Sequence, residues 1–271
     1  MQKKHRSCEL GRKTFLFYIL IFSIVNEKLV FEKEKKTNTI IEEEKIKKTA
    51  RISGLLYLLL IVFGIIGQLA RQSLIVSGDA AATASNIMAN EMQFRGANVS
   101  WLISEMFLLL LGLALYVVFK KVNKNIASLM LLFVVVGVAI ESINTLNQFA
   151  ALQLLSGADY LTVFSADQLN AQVMLYLDSG EAGYSIAAIM SFGPWLIPAG
   201  YLVYKSGYFP RILGILVILA GFGILIEGLQ YFLLPDYAVI SLPGSAIAAI
   251  GEFAFCGWLL LKGAKIPEMK S

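Results

Sequence analysis

From Arg51 onward the chain alternates long apolar runs with short polar breaks. About 20 apolar residues, rising ~1.5 Å each, cross a ~30 Å hydrocarbon layer. Six segments answer to that requirement: Ile52–Leu69, Ala97–Phe119, Ile126–Ala150, Gly183–Tyr204, Ile212–Leu234 and Pro243–Leu261. The pattern predicts an all-α polytopic membrane protein with six transmembrane helices. Two polar breaks, Ser77–Arg95 and Leu155–Ala182, are long enough for short amphipathic helices of their own. In the first, Asp79 is a suitable N-cap, with Ile87, Glu91 and Phe94 in the following turns. In the second, Ser165 and Gln168 have the spacing of a capping box, and Leu169, Val173, Tyr176 and Leu177 follow as one apolar stripe.

Residues 1–46 break the pattern. Phe15–Val25 is apolar but too short to span comfortably, and its basic leader is not followed by a small-x-small cleavage site. The stretch Glu32–Lys48 mixes both charges. The expected organisation is an N-terminal extension over residues 1–46, either partly disordered or interfacial, or else lying outside the native protein. A six-helix membrane domain over 47–265 and a short tail over 266–271 complete it.

Charge fixes the expected orientation. The chain has 271 residues, of which 57% are hydrophobic and 15% charged, against about 25% charged in soluble domains. Twelve Lys or Arg residues flank one set of span ends, and the opposite set has only Arg71 and Arg95. Lys/Arg-rich loops stay in the cytoplasm, so both termini are expected inside a cell membrane crossed several times. The same placement explains the net charge of +4 without nucleic acid. Cys8 and Cys256 form no disulfide framework, and His5 is the one histidine, so a His-ligated metal or a Ser-His-Asp triad is not expected within the chain. Tyr204, Tyr208 and Phe209 read as interfacial aromatics on the basic side.

The candidate chemistry lies in a few polar residues inside the apolar runs. Glu105, Glu141, Glu227 and Glu252 occupy four different spans, and no Lys or Arg lies within the apolar core to neutralise them. Counted from their helix starts, Glu141 and Glu227 lie roughly 22 Å from the inner face, while Glu105 and Glu252 lie roughly 12–14 Å below the outer face. Helical spacing adds Asn144, Thr145 and Gln148 to the face of Glu141, and Asn98 and Trp101 to the face of Glu105. It adds Gln230 and Tyr231 to the face of Glu227, while Gln68 and Arg71 share a face of the first span. Turned toward each other, these stripes predict one polar chamber near the outer side, with Arg71 or Arg95 as counter-ion and Arg71 the better placed to reach it. Buried carboxyls so close cannot all carry charge, so a proton, a small cation or a cationic substrate is the expected partner, and the bland alternative is hydrogen-bonded glue between helices. Pro194 and Pro198, at i and i+4, predict a helix kink in the fourth span, read either as a static bend or as a hinge.

Several segments resemble a bacterial membrane family known as domain of unknown function 4386. They are Lys48-Thr49-Ala50-Arg51-Ile52-Ser53-Gly54-Leu55-Leu56-Tyr57-Leu58, Ser77-Gly78-Asp79-Ala80-Ala81-Ala82-Thr83, Glu141-Ser142-Ile143-Asn144-Thr145-Leu146-Asn147, Gly200–Gly214 and the closing Gly251-Glu252 with Trp258–Gly263. The resemblance covers Lys47 to about Lys265 and implies an integral membrane protein without catalytic residues or cofactor to carry over. From the residues, the leading expectation is a small proton- or cation-coupled transporter. The alternatives are a sensor or assembly factor binding a partner or lipid through its outer loops, and an enzyme built on a carboxyl pair.

Overall fold

The computed structural model describes residues 2–265, the side chains of 2–30, 32, 34–36 and 39 excepted. The expected tail over 266–271 lies outside the described residues. Contacts divide the chain into two units, Met1–Ile46 and Lys47–Ser271. Helix α1 (Gln2–Gln72) provides the first unit and the first crossing of the second.

The second unit is wholly helical among the described residues: α2 (Ala80–Ala89), α3 (Glu91–Phe119), α4 (Lys124–Leu154), α5 (Ala166–Ala187), α6 (Gly193–Ser206), α7 (Arg211–Leu233) and α8 (Leu242–Leu261). Among the described residues six helical stretches are long and apolar enough to cross a membrane: Ile40–Gln72, Glu91–Phe119, Lys124–Leu154, Ala166–Ser206, Arg211–Leu233 and Leu242–Leu261. The protein is therefore a multi-pass membrane protein. Alternating crossings gather Lys120, Lys205 and Lys262 at one end, the basic face, and place α2 and the turns Asp159–Leu161 and Pro235–Ile240 at the other, the acid-loop face.

The helix starts follow their caps. Asp79 accepts a hydrogen bond from the Ala82 amide at 2.9 Å, and Gly78 supplies the positive φ of the turn before it. Helix α2 lies on the bundle: Ile87 packs with Leu74, Phe94, Leu152 and Val173. Ser165 and Gln168 form the capping box of α5. That helix does not stop over the bundle's mouth. It continues through a π turn, Ala188–Phe192, straight into α6, so the outer helix and the fourth span are one 41-residue element.

The irregularity of this element falls one turn before the prolines. The Gly193 amide donates to the Ala188 carbonyl, an i to i+5 bond, and Pro194 and Pro198 then sit within α6. Each proline withholds a donor, so the segment from Ala188 to Pro198 is weakly bonded backbone for a crossing. Contact with α7 steadies it. A β-carbon at Gly193 would lie 2.8 Å from the Gly221 carbonyl, and one at Gly200 would lie 2.6 Å from the Gly214 carbonyl. Two glycine pairs, seven residues apart on both helices, thus bring the backbones together.

On the basic face, Arg211 stacks over Tyr204. Phe209 is not interfacial as expected. It is 6% exposed and packs against Phe119 and Phe255, because its loop folds inward beneath the helix ends.

Candidate functional site

Glu141 is the best-connected carboxyl in the bundle. It sits mid-helix in α4, 2% exposed. Its Oε2 accepts from the Trp101 indole Nε1 at 3.0 Å, and its Oε1 accepts from Asn144 Nδ2 at 3.3 Å. Asn144 Nδ2 also donates to the Gly180 carbonyl at 2.9 Å, which ties α4 to α5. Helical spacing explains why the set meets: Glu141, Asn144, Thr145 and Gln148 form one face, and the Thr145 hydroxyl returns to the Glu141 carbonyl at 2.9 Å. Glycines make room opposite. A β-carbon at Gly183 would fall on the Asn144 side chain, and one at Gly180 on the Gln148 amide.

The expected single chamber is two adjoining cavities. The first, of about 300 Å³, lies toward the acid-loop face. Glu141, Asn144, Gln148, Glu227, Gln230, Gln68 and Arg71 all line it, together with Glu181, Tyr184 and Ser185. Arg71 donates to the side-chain amide oxygen of Gln68, Oε1, and lies 5.4 Å from the Trp101 ring centroid, within electrostatic reach of Glu181 and Glu141. Glu227 Oε2 accepts from Ser245 at 3.0 Å. Gln230 spends its amide on the Leu234 carbonyl, closing the end of α7. Arg95 is held elsewhere, by exposed Glu91 at 2.7 Å.

The second cavity, about 340 Å³, lies deeper and holds Glu105 and Glu252. Its remaining wall is largely apolar and aromatic, with Tyr57, Phe192, Trp195 and Phe253 among the lining residues. Among the described residues no Lys, Arg or His lines it. Gln68, Trp101 and Tyr184 border both cavities, and the two rings meet edge to face at 6.2 Å between centroids. Trp101 and Tyr184 therefore form the partition. Across it, Glu105 is within electrostatic reach of Glu141, and Glu252 of Glu227.

The split has a simple origin. The depth estimates from the sequence place Glu105 and Glu252 about 5 Å, one helical turn, deeper than Glu141 and Glu227. One turn is enough for an aromatic layer. Pro194 and Pro198 line neither cavity, but Trp195 between them lines the deeper one. Asn98, on the Glu105 side of α3, is fully buried and lines neither cavity. Sequence reasoning missed Glu181 and Tyr184 as site residues, because it placed Glu181 in a loop. The signal was the helical spacing from Gly180 to Tyr184, once α5 is read as continuous. Among the described residues no group of three or more His, Cys, Asp and Glu side chains is arranged to hold a metal.

The family described as "Domain of unknown function (DUF4386)" matches residues 52–263. The chain belongs to this family. The DUF4386 segment contains every residue that lines the two cavities. A protein of Archaeoglobus fulgidus described as "Uncharacterized protein" is 33% identical over 162 residues, covering 59% of this chain and 79% of that protein. No solved structure matches.

Proposed function

We propose that the protein is a small proton- or cation-coupled transporter of the cell membrane, with Glu141 as the ion-binding carboxyl. The observation that supports this reading is the 3.0 Å bond between Glu141 and Trp101. The group that would take up the ion also holds the ring that separates the two cavities. Charge on a buried carboxylate is costly, and a proton or cation relieves it. A charged acceptor makes a hydrogen bond roughly twice as strong as a neutral one. Ion binding at Glu141 therefore loosens Trp101, and ion release tightens it.

Movement follows from the backbone. Tyr184, the other half of the partition, sits on α5 one turn before the π turn and the two prolines. That weakly bonded stretch lets the α5–α6 element bend as the partition opens, in the manner of interrupted transporter helices. The Lys/Arg distribution assigns the acid-loop face, and with it the first cavity, to the exterior, and both termini to the cytoplasm.

Full-length protein in liposomes, loaded with a pH-sensitive dye and challenged with proton or monovalent-cation gradients, tests the reading. Wild type carries flux, and Glu141→Gln reduces it by about tenfold or more, equivalent to ~1.4 kcal/mol of barrier. Flux absent under every gradient, or indifferent to the substitution, removes the transport reading. One co-purifying membrane partner in place of flux favours the sensor or assembly factor. For orientation, Asp167→Cys on α5 reacts with an impermeant thiol reagent on intact cells; labelling only after lysis reverses the assignment.

A further inference from the structure

We infer that the deeper cavity binds a small hydrophobic organic cation, an amine or quaternary ammonium carrying an apolar group, which enters from the lipid between α1 and α8. Its role as transported substrate rests on the transport reading above; the binding site stands on its own geometry.

The chemistry of the wall selects the ligand. Glu105 is 3% exposed, and its Oε2 has no hydrogen-bond partner among the described residues. The hydroxyl of Tyr57, a fully buried lining residue, has none either. Glu252 adds a second carboxyl, and no basic side chain answers the pair. An anion is repelled here. A bare inorganic cation needs a shell of oxygen ligands, but most of the wall is Leu60, Ile61, Leu108, Ile224 and aromatic rings. Aromatic faces beside a carboxyl are the setting that holds an organic ammonium through its charge and its apolar surface together. The volume of about 340 Å³ suits a ligand the size of a substituted benzene.

The route of entry follows from helix packing. Toward the basic face α1 and α8 touch closely: a β-carbon at Gly54 would lie 2.5 Å from the Leu260 amide nitrogen, and Cys256 Sγ lies 3.7 Å from the Gly54 carbonyl. Toward the acid-loop face α1 turns to α3, with Gly67 against the Ala97 carbonyl and the Ser100 hydroxyl on the Phe63 carbonyl at 2.8 Å. The cavity lies where α1 has left α8. Ile65 on α1 and Phe253 on α8 line it and are 46% and 54% exposed, so this seam reaches the lipid-facing surface.

The test is titration of the full-length protein in lipid nanodiscs with benzyltrimethylammonium and with neopentylbenzene, its uncharged isostere. Trp101 and Trp195 line the cavity and report binding by fluorescence. The cation binds saturably and at least about tenfold tighter than the isostere, a factor equivalent to ~1.4 kcal/mol. Glu105→Gln and Glu252→Gln each weaken it by a similar factor, while Glu141→Gln reduces flux and leaves this binding in place. Equal affinity for the two probes, which needs no variant to measure, overturns the proposal. So does binding that ignores both Gln substitutions. Ala249→Trp, at the seam, slows association severalfold; an unchanged association rate overturns lateral entry. Binding without flux refutes transport and leaves the site, and flux without binding does the reverse.

Discussion

The two cavities, lined by three glutamates and by two, treat Glu141 and Glu227 in the first and Glu105 in the second in opposite ways. In the cavity on the acid-loop face the carboxyls are supplied with donors: Trp101 and Asn144 on Glu141, Ser245 on Glu227, and Arg71 nearby. In the deeper one Glu105 presents an oxygen with no partner among the described residues, and no basic residue lines the wall. The protein keeps carboxyls supplied with donors beside one that is not, with one aromatic layer between them, and Gln148 Oε1 is the unpartnered polar atom on the first side. A satisfied network fixes geometry, whereas an unsatisfied buried polar atom weakens stability and marks a place for a ligand.

Substitutions should therefore act with opposite sign on the two sides. The largest effect is Glu141→Leu, which strands the Trp101 indole and the Asn144 amide. It lowers stability by about 2–4 kcal/mol, read from thermal melting in detergent, and abolishes flux. Gly183→Ala is next. Its methyl group drives Asn144 off Glu141 and the Gly180 carbonyl, at about 1–3 kcal/mol, and a matching loss at Glu105 is not expected. Glu105→Leu reverses the sign. Removing an unpartnered buried oxygen raises the melting temperature, by about 1–2 kcal/mol in stability, while organic-cation binding disappears. A drop in stability there would erase the contrast between the cavities. The smallest effect is Arg95→Ala, which breaks an exposed pair of about 0.3–0.5 kcal/mol and leaves both flux and cation binding unchanged.

The topology was legible because hydrocarbon thickness imposes a length, and because Asp79, Ser165 and Gln168 mark helix starts by their spacing alone. The polar stripe of α4 was legible for the same periodic reason. The fourth crossing was harder. Hydropathy recognises only the apolar part of Ala166–Ser206, so Glu181 and Ser185 fell at or beyond its edge, although the helix runs through them. A π turn leaves no composition signal strong enough to correct this. Tyr57, Tyr184 and Trp195 were hidden for another reason. An aromatic side chain in an apolar run reads alike whether it faces lipid, core or cavity, and only packing decides. The depth count puts all four glutamates in one outer-central zone, and its spread of about one turn between the pairs does not show that a ring fills it.

The partition itself is open to one direct measurement. In a background with Cys8 and Cys256 replaced by serine, single cysteines are placed at Ser185, on the first cavity, and at Ser104, on the deeper one. An impermeant thiol reagent is added from the acid-loop side, with and without Trp101→Ala. The account predicts rapid labelling at position 185 in both backgrounds, and labelling at position 104 only when the indole is gone. Equal labelling of the two positions with Trp101 in place would contradict it.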